Sequence, residues 1–232
     1  METVYQAENL TKKYGNKKAL DGVNFRLGPG HLVGLLGPNG SGKTTLLKIS
    51  AGLLAATGGS VEICGKQPGV ETKAVTAYLP DRMALPEEYR AEDAIAFFAD
   101  FYQDFDRNKA DAMLRDLGLE PRQRISAMSK GTQEKMQLCL LMSRAARLYL
   151  LDEPLGGVDP AARDYILQTI LRGYSEDAVM VLSTHLIGDI EKVLDEVIFL
   201  KEGRVVLQEG VDQLRETKGK SVDEYFREVF RC

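Results

Sequence analysis

Cysteine is scarce in this chain. Three stand among 232 residues, Cys64, Cys139 and Cys232, far apart and in no Cys-x-x-Cys pair. An odd, widely spaced set argues against a disulfide framework or a zinc site and for a reducing cytosol. Cys139 lies in an apolar run, where a thiol serves as a small core side chain. No apolar run approaches the ~18 residues a membrane helix needs, so any membrane spans are expected on another chain. The first ten residues, METVYQAENL, lack the basic-then-apolar pattern of a secretory signal. A basic excess is missing as well: 30 Lys and Arg against 34 Asp and Glu give a formal net charge of −4, which argues against a nucleic-acid partner. Only Lys12, Lys13, Lys17 and Lys18 cluster locally, a pattern that is usually a solvated face. Internal repeats and low-complexity segments are absent.

What is present is ordinary for a soluble globular protein with a substantial core: 44% hydrophobic and 28% charged residues. The length fits one large domain, or one domain with an insertion. Strands are expected at Val4–Ala7, Val23–Leu27 and Leu32–Leu36, with Gly28-Pro29-Gly30 as a turn. A helix follows from about Ser41, then strands at Ser60–Cys64 and Val75–Leu79. From about Pro86 to Ala146 the pattern turns helical. Ala94, Ile95, Phe97, Phe98, Phe101 and Tyr102 recur at helical spacing, and Asp106 reads as the N-cap of a helix ended by Gly118. Strand patterns resume at Leu148–Leu151, Val179–Leu182, Val197–Leu200 and Val205–Leu207. The simplest account is an α/β core interrupted by a helical insertion.

Two stretches carry chemistry. Gly37-Pro38-Asn39-Gly40-Ser41-Gly42-Lys43-Thr44, followed by Thr45, is a complete G-x-x-x-x-G-K-[ST] between a strand and a helix. Its glycines let backbone N–H groups turn toward phosphate oxygens, and the helix start adds its positive dipole end. Lys43 is placed to reach the β- and γ-phosphates, and the Thr44 hydroxyl to ligate Mg²⁺. The chain is therefore expected to bind a nucleoside triphosphate. In the second stretch, LYLLDEP, a strand delivers Asp152 and Glu153 to its C-terminal end, where open α/β sheets bind ligands. Asp152 suits the carboxylate that supports Mg²⁺; Glu153 suits a residue that orients or deprotonates water.

A third stretch, MSKGTQEK from Met128 to Lys135, precedes the second and opens an apolar helix with Ser129 as N-cap. Together with GGVDP at Gly156–Pro160, STH ending in His185, and Tyr14 in LTKKYG, these motifs resemble the ATP-binding cassette (ABC) ATPases over nearly the full chain. The resemblance implies a P-loop NTPase (RecA-like) α/β core from residues 1–85 and 147–210, with an N-terminal antiparallel β-subdomain. It further implies an inserted α-helical subdomain over 86–146 and a short helical tail over 211–232. Two cassettes then pair head to tail around two ATP. Ser129 and the Gly131 N–H would contact a γ-phosphate bound mainly by the partner, with the dipole of the signature helix aimed at the same charge. Asp159 would tie the two sites together, and His185 would hold the γ-phosphate and the attacking water. Tyr14 would stack on adenine, for roughly 1–3 kcal/mol by analogy with other base–aromatic contacts; a plain surface aromatic is the alternative.

Two departures from the family pattern stand out. The signature usually reads Leu-Ser-Gly-Gly-Gln, whereas here Met128, Lys130 and Thr132 replace the first Leu, the first Gly and the Gln. Lys130 either tightens the grip on the partner's phosphates or faces water. In YLPDR, Asp81 stands where the family usually has glutamine, and there it either ligates Mg²⁺ or points to solvent.

The function implied is the ATPase subunit of a transporter, held on the inner face of the membrane by a separate permease. Arg82, Met83, Leu85, Pro86 and Tyr89 would line the permease groove. The SKG signature, acidic position 81 and short tail resemble exporter-type cassettes. A soluble mechanical ABC ATPase is the alternative, though the arms or second cassette of such proteins are missing. A P-loop kinase would leave MSKGTQEK, GGVDP and His185 without a role.

Overall fold

Residues 2–80, 85–156, 160–173 and 175–231 are described by the computed structural model. Along the chain run β1 (Tyr5–Tyr14), β2 (Lys17–Leu27), β3 (Leu32–Leu36), α1 (Lys43–Ser50), β4 (Gly58–Ile63), α2 (Val70–Ala74) and β5 (Thr76–Leu79). Three helices follow: α3 (Ala91–Phe101), α4 (Arg107–Asp116) and α5 (Lys130–Met142). The chain then returns through β6 (Leu148–Asp152), α6 (Pro160–Gly173), β7 (Val179–Thr184) and α7 (Ile187–Ile190). It closes with β8 (Glu196–Lys201), β9 (Arg204–Gly210), α8 (Val211–Lys218) and α9 (Val222–Val229).

These elements make a mixed α/β fold of two sheets. The first is antiparallel in the order β2-β1-β4; the second runs β5-β6-β7-β3-β8-β9, parallel except for β9 at its edge. Every residue of β3, β6 and β7 is buried, as expected of central parallel strands covered on both faces. The antiparallel sheet lies over α1: Tyr5 of β1 is buried, its ring packs edge-on against Phe25 at 4.8 Å, and its hydroxyl sits 2.6 Å from Ser50 Oγ at the end of α1.

β1 and β2 run well past the expected Val4–Ala7 and Val23–Leu27, to a tight turn at Gly15. Their outer halves are polar and largely exposed, so the backbone ladder forms there without an apolar alternation to announce it. Gly15 supplies the left-handed φ of 56° that a two-residue hairpin turn requires. α1 starts at Lys43, two residues later than expected, because Gly42 is held at φ 112° and belongs to the preceding loop. Asp106 does cap α4, its Oδ1 accepting the Lys109 N–H at 3.0 Å. α6, to which the sequence pattern above assigns nothing, opens on a proline at its first position, a start signal in its own right.

α3, α4 and α5 enclose a small core of their own, with Ala94, Ile95, Ala110, Leu114, Met136 and Cys139 buried in it. α5 is apolar on two sides: Met136, Cys139 and Leu140 face this core, while Leu138, Leu141 and Met142 face the main one. The C-terminal half of α5 is thus largely buried between the two cores. Inside it, Cys139 donates to the Ala110 carbonyl at 3.3 Å, and burial pushes its thiol up to about 12. That thiol is a packing group, and no nucleophile at neutral pH.

Candidate active site

β6, β7 and β3 are neighbours in the sheet, so the segments leaving their C-terminal ends meet at one place. Leu36 ends β3 and the glycine-rich loop follows. Asp152 ends β6 opposite Ser183 of β7, and His185 lies just beyond Thr184. Strand order alone thus gathers the phosphate loop, the two carboxylates and the histidine.

At Gly37 and Gly42 the loop leaves no room for a side chain. A Cβ on Gly42 would come within 2.5 Å of the Ala19 carbonyl, and its φ of 112° is one that only glycine adopts at ease. Lys43 is buried at the base, where its Nζ donates to the Gly37 carbonyl at 2.7 Å and the Pro38 carbonyl at 3.3 Å. Burial lowers the pKa of its ammonium, while Glu153 and Asp152 pull it the other way. Around the loop opens a cleft of about 430 Å³, lined by Tyr14, Lys17, Ala19, the run from Asn39 to Thr45, and Glu153. Tyr14 and the phosphate loop, 23 residues or more apart in sequence, thus share one cleft.

Thr44 Oγ1 donates to Asp152 Oδ1 at 3.2 Å, and Ser183 Oγ donates to the same oxygen at 2.7 Å. Asp152 Oδ2 is buried with no hydrogen-bond partner among the described residues. A hard oxygen left over beside a threonine hydroxyl fits Mg²⁺, which prefers oxygen donors and keeps water in its shell. No group of three or more His, Cys, Asp or Glu side chains converges on a metal position among the described residues. Phosphate oxygens and water would have to complete the coordination.

Glu153 sits at φ 52°, in the left-handed region, where a side chain of its kind is strained. Its N–H donates to the Ser183 carbonyl at 3.0 Å, which holds that bend. The bend aims the carboxylate at His185, whose Nδ1 lies 2.9 Å from Glu153 Oε2. Ser183 therefore holds the Asp152 carboxylate and the Glu153 backbone, and sequence reading missed that role: a serine in an apolar strand has no spacing signal. Its direct pairing with Asp152 is the only clue, and that is a property of the sheet.

Ser129 and Gly131 stand apart from the loop's cleft. Ser129 caps α5, its Oγ accepting the Thr132 N–H at 3.2 Å. Lys130 lies 3.7 Å from Glu134 and lines a neighbouring cleft of about 340 Å³ with Asp152 and Glu153. Glu153 borders both clefts. Asp81, Arg82, Met83 and Asp159, singled out by the sequence, lie outside the described residues.

The protein-family model described as ABC transporter matches residues 20–156, more than half of the chain. An uncharacterised ABC transporter ATP-binding protein of Methanocaldococcus jannaschii is 33% identical over 89% of this chain and 77% of its own length. A daunorubicin resistance ATP-binding protein of Streptomyces coeruleorubidus is 29% identical over 98% of this chain and 75% of its own. Among solved structures, the ATP-binding subunit of an ABC transporter superposes with a TM-score of 0.88 at 28% identity, over 98% of this chain and 100% of that one. The expected architecture, an antiparallel sheet joined to a largely parallel core, is the cassette fold. By family model, relatives and fold together, the chain belongs to the ABC transporter family, among its ATP-binding proteins.

Proposed function

We propose that the chain binds Mg²⁺-ATP in the cleft of the phosphate loop and hydrolyses it, as one of two cassettes driving a separate membrane permease that exports its cargo. The observation that carries this reading is the meeting of Lys43, Thr44, Asp152, Glu153 and His185 at the ends of three adjacent strands. Tyr14 stacks on the adenine at the outer rim. Lys43 exchanges its two backbone carbonyls for β- and γ-phosphate oxygens, and the loop N–H groups from Gly40 to Thr45 take the rest. Mg²⁺ held through Thr44 and Asp152 supplies positive charge against the charge that builds on the phosphates. Glu153 takes the proton of the attacking water, and His185, 2.9 Å from it, orients both.

Ser129 and Gly131 do not line this cleft. That supports a head-to-tail dimer in which they cap the partner's nucleotide. A permease is the partner that suits the far side of the helical region. Phe97 and Phe101 of α3, 48% and 67% exposed, stack with centroids 6.0 Å apart, and Tyr89 packs against Phe97 at 6.2 Å. Three aromatic rings on one exposed face are a docking surface rather than a solvated one. No helix among the described residues is long and apolar enough to cross a membrane; on this reading the permease holds the protein at the membrane's inner face. Export is the direction proposed because it suits a relative named for daunorubicin resistance.

The test is whether a neighbouring gene encodes a multi-span membrane protein, and expression of this chain beside that protein. The chain should co-purify with it and hydrolyse ATP, and Lys43→Ala should abolish hydrolysis while leaving the complex intact. A soluble chain that hydrolyses ATP but never binds a membrane partner would sink the transporter reading. A Lys43→Ala variant as active as the native protein would sink the site.

A further inference from the structure

Of the four clustered lysines near the N-terminus, two are tied down. Lys12 Nζ donates to the Ala55 carbonyl at 2.7 Å and lies 5.2 Å from the centre of the Tyr14 ring. Lys18 donates to Asp21 Oδ1 at 2.7 Å, on the other side of β2. Lys17 differs from both. It pairs directly with Tyr14 across the hairpin, which sets the two side chains on one face of the sheet. Strand alternation sends Lys17 and Ala19 to the same side, and Tyr14, Lys17 and Ala19 all line the cleft of the phosphate loop. Its ammonium is exposed and has no carboxylate or carbonyl partner among the described residues.

The cleft thus has a cation at each end. Lys43 lies buried at its base, and Lys17 stands at the rim beside the ring that takes the base. Among the described residues, Glu153 is the only acidic side chain in its lining. Two ammonium groups with a helix N-terminus between them suit a ligand whose negative charge extends along the cleft. We propose that Lys17 is a further nucleotide-recognition residue, contacting the α-phosphate and so clamping the nucleoside end from the hairpin while Lys43 holds the β- and γ-phosphates. This rests on the reading of the cleft as an ATP site. Because the lysine side chain is long and half in water, the contact is a modest one, screened by salt.

The experiment measures equilibrium binding of ATP, ADP and adenosine to the full chain and to Lys17→Ala, Lys17→Glu and Lys17→Arg variants. Lys17→Ala should weaken ATP and ADP alike by roughly fivefold, with a smaller dependence on salt. Lys17→Glu should weaken them further, and Lys17→Arg should restore them. Adenosine binding should not change. In steady-state hydrolysis the loss should raise KM at constant kcat, since binding is lost equally from ground and transition states. Thermal unfolding should be the same for all variants. Native ATP and ADP affinity in both Lys17→Ala and Lys17→Glu would overturn the inference, as would an equal loss for adenosine. A Lys43→Ala control separates the two readings. If it still binds ATP normally, the cleft is not the nucleotide site; if it does not, a null result at Lys17 counts against Lys17 alone.

Discussion

Gly203 shows how one residue far along the chain shapes the phosphate loop. It sits in the β8–β9 turn at φ 77°, and its N–H donates to the Ser41 carbonyl at 2.9 Å. Its own carbonyl accepts the Asp21 N–H at 2.8 Å, so this turn clamps the loop against β2. Arg204 closes the clamp by donating to Asp21 Oδ2 at 2.6 Å through Nη2. Lys18 and Arg204, in that order, hold the Asp21 carboxyl below its usual pKa. A Cβ at Gly203 would meet the Ala19 carbonyl at 2.7 Å and Leu20 Cα at 2.9 Å, both backbone atoms that cannot swing aside. Gly203→Ala should therefore cost about 2 kcal/mol, strain and clash together, and weaken ATP binding through Ser41. Gly15→Ala is the control: it shares a left-handed φ of 56° but has nothing within 4 Å of the new methyl. Unfolding curves should show the smaller loss at Gly15, about 1 kcal/mol, with ATP affinity unchanged. Equal effects of the two substitutions on ATP binding would count against the clamp. The turn itself is legible in the Glu202-Gly203 dipeptide. Its purpose is not, because the partner, Ser41, lies more than 160 positions upstream.

At the scale of elements, a buried guanidinium adds a polar joint between the helical region and the core, beside the apolar packing of α5. Arg144, two residues past α5, donates through Nε and Nη2 to the two oxygens of Asp104, each at 3.0 Å. It also donates to the Thr76 carbonyl at 2.6 Å and the Ala74 carbonyl at 2.6 Å, and lies 3.7 Å over the Tyr102 ring. One side chain thus joins the α3–α4 connection to the edge strand β5. With every partner present, the burial of this charge is compensated; with one removed, it is not. Arg144→Ala strands the Asp104 carboxylate and two carbonyls at once. The expected loss is about 3–5 kcal/mol, or ~10 °C in melting temperature for a chain of this length. Arg144→Lys should not rescue it, since a point charge cannot serve four acceptors in one plane. A melting temperature within a degree or two of native for Arg144→Ala would show that the joint carries no load. Periodicity foretells α3 and α4, whose apolar residues repeat on schedule. It cannot foretell this joint, where a polar side chain is buried only because four acceptors from three segments happen to converge.

For the molecule as a whole, the chemical groups were legible in the residues themselves, and their division between two subunits only through the family resemblance. The phosphate loop and LYLLDEP announce themselves because binding phosphate and Mg²⁺ restricts which residues can stand at which spacing. Ser183, Gly203 and Lys17 act through sheet register or backbone contact, so no local spacing betrays them. The most telling gap is the one between Ser129 and the cleft around Lys43. A hydroxyl at the head of a helix, two residues before Gly131, has nothing to cap among the described residues of its own subunit except Thr132. Across a twofold axis the same pair would face the partner's γ-phosphate, and the surface would be self-complementary, each subunit giving what it receives. Stability of the dimer then depends on a phosphate that hydrolysis removes. Glu153→Gln keeps the shape of the side chain and abolishes the base, so hydrolysis should fall at least a hundredfold while ATP still binds. In size-exclusion chromatography this variant should elute with ATP at twice the monomer mass, and with ADP as a monomer. Adding Ser129→Ala should abolish the dimer without changing the ATP affinity of the monomer, because that hydroxyl serves only the opposite site. A Glu153→Gln protein that stays monomeric with ATP would refute the shared site; a dimer that survives Ser129→Ala and ADP alike would mean that something other than the nucleotide holds the halves together.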